Sequence, residues 1–169
     1  MTDDGQPDWN RIVDRHGERV LRIALRILGS VHDAEDVSQE VFAEAYRFQN
    51  AGSVQSWSGL LVRLTTLRAI DRLRRSRRAK ELRDDDHVST VEPFHEAIAR
   101  ELAERLRDVV AELPDQQAAV FVMVYFEQLS RDQVAANLAI SPEAVSMALY
   151  KARQQLMSRL TVFNDGDSR

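Results

Sequence analysis

The chain contains no cysteine and only four prolines among its 169 residues. The missing thiols exclude disulfide bonds, thiolate nucleophiles and cysteine-ligated metals. No apolar run approaches the ~18 residues that a membrane-spanning helix needs. The polar, acidic residues 1–5 are not followed by the apolar segment of a secretory signal peptide. These absences predict a cytoplasmic protein that does not insert into a membrane.

The components of an active site are also missing from the sequence. The four histidines have no metal-ligand spacing, and no glycine-rich phosphate loop is present. They are His16, His32, His87 and His95. We therefore expect no enzyme activity, no metal, no cofactor and no small-molecule substrate.

Charge is unevenly distributed along this chain of formal net charge -4. Between residues 63 and 83 the basic residues are Arg63, Arg68, Arg72, Arg74, Arg75, Arg77, Arg78, Lys80 and Arg83. Only Asp71 and Glu81 oppose them, and three aspartates follow at residues 84–86. One strongly positive segment in an acidic chain predicts a local polyanion-binding site.

Helical spacing of apolar residues predicts three helices in the first half of the chain. They are expected over residues 12–28, over residues 34–48, and from about residue 54 or 56 into the basic segment. Gly29 and Ser30 end the first helix, and Asp33 is predicted to cap the second. Mutual burial of the apolar stripes predicts a small bundle of three or four helices.

A second helical group follows a linker-like stretch at residues 82–93, which is poor in apolar residues and ends in a proline. The group begins with an amphipathic helix over residues 94–113, and Asp115 is expected to cap the next helix. The predicted fold is all-α, with two small helical domains joined by a flexible linker. We place the domains at residues 1–80 and 96–163, the linker at 81–95 and a tail at 164–169.

The last two predicted helices form a helix-turn-helix. Ser130 and Gln133 have the spacing of a capping box, and Ser141 with Pro142 is typical of a helix start. Ala139 and Ile140 lie between the two helices. In such a unit the second helix enters the major groove of DNA. An ordinary helical hairpin is the alternative, but the pattern and its place near the C-terminus favour DNA binding.

Residues 33–42, DAEDVSQEVF, resemble the signature of the second conserved region of RNA polymerase sigma factors. In that family an acidic, glutamine-bearing helix docks on the clamp helices of the largest polymerase subunit. The resemblance implies four polymerase-docking residues, Asp36, Gln39, Glu40 and Phe42. A solvated acidic helix face is the alternative interpretation of the same residues.

Residues 60–75 resemble the family helix that holds the opened minus-ten promoter element. Arginines on such a helix can bind phosphates, while their neighbours can hold an unstacked base. The resemblance implies minus-ten contacts by Arg63, Thr66, Leu67, Arg68, Arg72, Arg74 and Arg75. A flipped base is expected near residues 48–56. The family often has asparagine where Leu67 stands, so the usual base contact there is not carried over.

Residues 113–156 resemble the fourth conserved region, which reads the minus-thirty-five element. Implied contacts there are Ser141, Glu143, Ser146 and Tyr150, with Lys151 and Arg153 for phosphates. Residues 106–126 are expected to embrace the flap of the second-largest polymerase subunit. The family usually has lysine or arginine near Ser146 and Ala148, so upstream binding is predicted to be weak.

Together these segments resemble a sigma factor of the extracytoplasmic-function (ECF) group, because the first and third conserved regions are not found. The resemblance implies a transcription initiation factor that binds core RNA polymerase, directs it to specific promoters and helps melt promoter DNA. An anti-sigma factor is the further expected partner. Two alternatives stay open: a stand-alone, dimeric helix-turn-helix regulator and a helical adaptor that binds only protein.

Overall fold

The structure is a computed structural model that describes residues 8–49, 54–82 and 94–164, and the side chains at 94, 95 and 160–164 lie outside the description. Within these ranges the chain forms seven helices and no strand. They are α1 (Trp9–Leu28), α2 (Val31–Gln49), α3 (Trp57–Glu81), α4 (Phe94–Glu112), α5 (Asp115–Tyr125), α6 (Arg131–Leu138) and α7 (Pro142–Asn164). The predicted all-α fold is confirmed.

The predicted end of α1 is correct, but the predicted cap of α2 is wrong. Gly29 adopts a left-handed conformation (φ 68°), which glycine reaches without steric cost, and this turns the chain at once. The hydroxyl of Ser30 then accepts a hydrogen bond from the backbone N–H of Asp33 at 3.3 Å. Ser30 therefore caps α2, and Asp33 lies in its first turn.

The predicted capping role of Asp115 is also wrong. Pro114 precedes α5, and no side chain caps that helix end. Asp115 is instead the first helical residue, and its carboxylate pairs with Arg74 of α3. A tertiary partner distant in sequence has thus replaced the local hydrogen bond that the sequence pattern suggests.

The N-terminal bundle consists of α1, α2 and α3, which all contact one another. Its fully buried side chains include Ile23, Ile27, Val37, Val41 and Leu61. Trp9 closes one side of the bundle, with ring edges against Phe42, Tyr46 and Trp57. This packing leaves the acidic face of α2 and part of the basic face of α3 at the surface.

The C-terminal group is built around α5, α6 and α7, and α4 packs on both α7 and α3. Both halves of the predicted capping box are present at α6, since Ser130 and Gln133 each bond the other's backbone N–H. Ala139 ends α6 in a left-handed conformation (φ 53°). Pro142 is the first residue of α7, as predicted.

The two helical groups pack against each other through α3, which contacts α4, α5 and α6. Their buried side chains form one continuous cluster. Most of the predicted linker, residues 83–93, lies outside the described residues, so its flexibility and the domain limits stay predictions. No helix in the described ranges is long and apolar enough to cross a membrane.

Candidate nucleic-acid interface

An acidic surface on α2 contains three of the four residues assigned to docking. Asp36 and Glu40 have side-chain exposures of 38% and 53%, and Gln39 is also exposed. Phe42 is half-buried and packs on Trp9 instead. The structure therefore brings Asp36, Gln39 and Glu40 together at the surface and places Phe42 in the bundle's aromatic cluster.

One guanidinium lies against this acidic surface. The Arg72 side chain on α3 approaches Asp33, Asp36 and Glu40 at 3.8, 3.4 and 3.5 Å. Because all four groups are partly in water, each pair contributes little to stability. Their combined effect is to hold the carboxylates in a fixed pattern while leaving them accessible to a partner.

The arginines assigned to the minus-ten contact fall into three sets. Arg63 and Arg75 are exposed, and neither has an ion-pair partner among the residues that the structure describes. Arg68 and Arg72 pair with acids of α2, Arg68 with Glu44 at 2.8 Å. Arg74 points away from α2, toward the C-terminal group. Only Arg63 and Arg75 are therefore immediately available to a phosphate.

The two uncharged members of the minus-ten set lie deeper than the arginines. Thr66 is fully buried, and its hydroxyl has no hydrogen-bond partner. In this arrangement Thr66 does not reach a surface. Leu67 is half-buried and lines a cavity of about 240 Å³ together with Arg68, Asp71 and Arg74. The expected base pocket near residues 48–56 includes 50–53, which lie outside the described residues.

Arg74 ties α3 to the end of α4. Its guanidinium donates to the carbonyls of Ala111 and Leu113, at 3.0 and 2.7 Å, and to the carboxylate of Asp115. These carbonyls belong to the unsatisfied C-terminal end of a helix, which a cation stabilises. Arg74 is thus an interdomain cap in this arrangement, a role that the sequence pattern did not indicate.

Arg77 and Arg107 add two further contacts between the groups. Arg77 pairs with Asp108 and Glu104 of α4. Burial lowers the pKa of Arg77, partly offset by the nearby Glu104 carboxylate. The Arg107 guanidinium lies where a side chain on Gly29 would be, 2.6 Å from that Cβ position. A side chain at position 29 would displace this guanidinium, and the left-handed backbone there also favours glycine.

Glu127 joins α1 to the loop after α5. Its side chain is 7% exposed and lies 3.4 Å from Arg26 and 3.7 Å from Arg19. Arg26 also donates to the carbonyl of Phe126 at 2.5 Å. On the same helix, the pKa of His16 is lowered, mainly because the imidazole is partly buried and also because Arg15 and Arg19 lie nearby.

The outer face of α7 carries most residues assigned to the minus-thirty-five contact. Glu143 and Tyr150 are exposed, and Ser146 is half-buried. Met147 shares this face and is 56% exposed, although the sequence reasoning did not include it. Its spacing of four residues from Glu143 is the signal that identifies it. Ser141 caps α7 by accepting from the backbone N–H of Ala144 at 3.1 Å.

The two cations assigned to upstream phosphates differ in availability. Lys151 is exposed. Arg153 donates to the Tyr125 hydroxyl at 2.5 Å, and its guanidinium carbon lies 5.5 Å from the centre of that ring. Tyr125 therefore holds Arg153 against α5 by a hydrogen bond and a cation–π contact. The described ranges contain no cluster of His, Asp or Glu that could hold a metal ion.

Comparison with known proteins matches both halves of the chain. The Sigma-70 region 2 family matches residues 12–79, and the Sigma-70, region 4 family matches residues 103–156. The ECF RNA polymerase sigma factor SigE of Mycolicibacterium smegmatis is 33% identical over 159 residues, which cover 91% of this chain and 62% of SigE. SigW of Bacillus subtilis, also an ECF RNA polymerase sigma factor, is 27% identical over 164 residues, covering 88% of this chain and 87% of SigW.

Solved structures share the fold. CnrH, in complex with the cytosolic domain of CnrY, has a TM-score of 0.58 at 21% identity, covering 95% of this chain and 89% of CnrH. The sigma factor RpoE, in complex with the anti-sigma factor NepR from Bartonella quintana, has a TM-score of 0.56 at 15% identity, covering 92% of this chain and 98% of RpoE. The chain spans less than two thirds of the length of SigE.

Proposed function

Because this chain belongs to the ECF group of the sigma-70 family, we propose that it binds core RNA polymerase and directs it to specific promoters. It then helps to separate the promoter strands. The observation that carries this proposal is the pairing of an acidic surface on α2 with the basic helix α3 directly beside it, within the segment that matches region 2. The acidic surface faces a protein, and the basic helix faces DNA.

Polymerase docking is assigned to the acidic surface of α2. Asp36, Gln39 and Glu40 are at the surface and available to basic groups of a partner. Arg72 orients the carboxylates and thereby reduces the entropy lost when a partner binds. Phe42 keeps its proposed role only as the apolar edge of this surface, since its ring packs on Trp9.

Strand separation is assigned to α3. Arg63 and Arg75 are exposed and make the first phosphate contacts. Arg68 and Arg72 lie nearby but are paired with acids of α2. Arg74 becomes available only when the contact between α3 and the end of α4 opens. We therefore propose that the packed arrangement is the resting state and that polymerase binding separates the two groups.

Upstream recognition is assigned to the outer face of α7. Glu143 is suited to accept a hydrogen bond from a cytosine amino group, while Met147 and Tyr150 offer apolar contact to thymine methyls. Ser141 and Ser146 provide further polar contacts. This face has little positive charge, which supports the expectation of weak upstream binding by the free chain.

Other partners and the place of action follow from the same proposal. A sigma factor works in the cytoplasm, where polymerase and promoter DNA are found, and it needs no catalytic group of its own. An anti-sigma factor is the proposed regulatory partner, which would hold the polymerase-binding surfaces covered. A helical adaptor that binds only protein is the second candidate, favoured by the absence of lysine and arginine from the first turns of α7.

The decisive test is co-elution of the full chain with bacterial core RNA polymerase on size exclusion. We expect wild type to co-elute and the Asp36→Lys, Glu40→Lys double variant to be lost from the polymerase peak. Two reversed charges at a docking surface convert attraction into repulsion, which costs several kcal/mol. Circular dichroism of the double variant should remain that of a folded helical protein.

A matched control is available on α1. Asp14 and Glu18 are exposed and also lie four residues apart on a helix, so Asp14→Lys, Glu18→Lys makes the same change in charge elsewhere. This control should co-elute like wild type. Co-elution of the Asp36, Glu40 variant would refute the docking assignment. Failure of wild type itself to co-elute would refute the proposed function.

A further inference from the structure

The DNA-reading part of the helix-turn-helix has almost no positive charge of its own. From Ser130 to Tyr150 the only lysine or arginine is Arg131, while Asp132 and Glu143 are acidic. Phosphate contacts by cations supply much of the affinity of a protein for DNA. Without Arg131 this segment would present only negative charge to the phosphates. Arg131 is therefore the one cation that this segment itself offers, ahead of Lys151, to the upstream phosphates.

Arg131 belongs to α6 but is held against α7. It is the first residue of α6, its side chain is exposed, and its Nη1 lies 3.4 Å from Oγ of Ser146. The Ser146 hydroxyl donates to the carbonyl of Pro142 at 3.1 Å. Its lone pairs are consequently free to accept from the guanidinium. Ser146 thus fixes a charge from one helix beside the second turn of the other.

This charge is not neutralised within the described residues. No carboxylate there lies within ion-pairing distance of Arg131, although Asp132 is its neighbour in sequence. The contrast with Arg153 is clear, because Tyr125 holds that guanidinium by a hydrogen bond at 2.5 Å. A guanidinium with one weak neutral contact keeps most of its donors for a ligand.

Resting on the proposed function, we propose that Arg131 is the phosphate anchor of the upstream interface. The Arg131 guanidinium belongs to α6 but lies beside Ser146 of α7, a position at which α7 has no cation of its own. The first helix of a helix-turn-helix crosses the DNA backbone while the second enters the groove. Arg131, at the start of that first helix, therefore binds a phosphate, and sequence is read by the α7 face that contains Glu143 and Met147.

The test measures DNA binding by the full chain assembled with bacterial core polymerase. The probes are duplexes that the wild-type holoenzyme selects from a pool with a randomised upstream element. Arg131→Ala should weaken binding about tenfold on every selected duplex and lower the slope of log K against log salt by about one. Arg131→Lys should retain most of the affinity, because a phosphate accepts either cation.

A charge-transfer variant sharpens the test. Since Ser146 lies within 3.4 Å of the guanidinium, Ser146→Lys places a cation at nearly the same point from α7. The double variant Arg131→Ala, Ser146→Lys should recover binding and salt slope. Arg159→Ala is the control. Arg159 carries the same charge as Arg131, but it lies further along α7, where it pairs with Glu112 of α4. It should bind like wild type.

Each outcome has a definite meaning. An unchanged affinity and salt slope for Arg131→Ala would overturn the inference while leaving the proposed function in place. Loss confined to duplexes with one particular base pair would overturn the phosphate assignment, because it would make Arg131 a base reader. A double variant that fails to recover would overturn the claim that Arg131 replaces a cation of α7. A wild-type holoenzyme that selects no duplex would overturn the proposed function itself.

Discussion

One residue in an unusual backbone conformation, Ala139, forms the turn of the helix-turn-helix. Ala139 ends α6 with φ 53° and ψ 45°, in the left-handed region. A side chain costs about 1–2 kcal/mol there, whereas glycine adopts it freely. The backbone N–H of Ala139 nevertheless bonds back to α6, and Ile140 bonds to the carbonyl of Ala135 at 3.1 Å. The hydrogen bonds of the turn are therefore intact, but the left-handed conformation of Ala139 destabilises the folded state.

We expect Ala139→Gly to raise the free energy of unfolding by about 0.5–1 kcal/mol. Relief of the left-handed strain exceeds the extra entropy of glycine in the unfolded chain. Urea denaturation followed by circular dichroism measures the change. Ala136→Gly, at an exposed position inside α6, is the control and should lower stability by about 1 kcal/mol. A destabilised Ala139→Gly variant would contradict the strain argument.

At the scale of the element, α3 performs different tasks along its length. Its buried residues, including Leu61, Ala69 and Leu73, form the bundle core. Its arginines divide between solvent, the acids of α2 and the end of α4. Apolar spacing predicted that this helix buries one face, but it did not indicate Ala69 and Leu73 as core residues. The partners of each arginine were not predictable, because they depend on how α2 and α4 pack.

We expect Arg63→Ala, Arg75→Ala to impair promoter opening without loss of polymerase binding. These two exposed arginines have no ion-pair partner in the described part of the chain, so their removal costs little stability. Permanganate reactivity of unpaired thymines measures opening, and size exclusion measures polymerase binding. The salt slope of binding to a forked promoter duplex should fall by about two.

The control for that variant lies on α1. Arg15→Ala, Arg22→Ala removes the same charge from exposed positions of another helix. Its opening and salt slope should equal those of wild type. If both double variants reduced opening equally, general charge rather than α3 would be responsible.

At the scale of the whole molecule, ionic contacts add to the apolar packing that joins the two helical groups. Arg74 caps the end of α4, Arg77 pairs with Asp108, and Glu127 receives Arg19 and Arg26. The same packing occupies Arg74, which the proposed mechanism needs for DNA. Closed packing and promoter binding therefore compete for this residue.

We expect Glu127→Gln to weaken the packed arrangement by about 1–2 kcal/mol. The cost is smaller than for a fully buried pair, because the side chains of Arg19 and Arg26 are 34% and 50% exposed. Small-angle X-ray scattering should record a larger radius of gyration. Polymerase binding should become tighter, because less free energy is needed to separate the two helical groups.

Glu18→Gln is the matched control for Glu127. Glu18 is 89% exposed and pairs with Arg22 within α1, so its loss should change neither the radius of gyration nor polymerase binding. A Glu127→Gln variant as compact as wild type would mean that apolar contacts alone hold the groups together. The proposed resting state would then need no ionic latch at this loop.

Local sequence was sufficient for features that depend on neighbouring residues. Helical spacing predicted the all-α fold, because burial of one stripe requires apolar residues every three or four positions. The capping box at Ser130 and the helix start at Pro142 were also correct, since each rests on hydrogen bonds or sterics within one turn. The family motifs in the two halves were likewise readable directly from the chain.

Tertiary structure alone decided which charges are free. Arg63, Arg74 and Arg131 look alike in the sequence. Packing leaves Arg63 exposed, holds the half-buried Arg74 against the end of α4 and places Arg131 beside α7. It also moved Asp115 from a capping role to an ion pair. Electrostatic partners are set by distances between helices remote in sequence, and those distances exist only once the apolar stripes have packed.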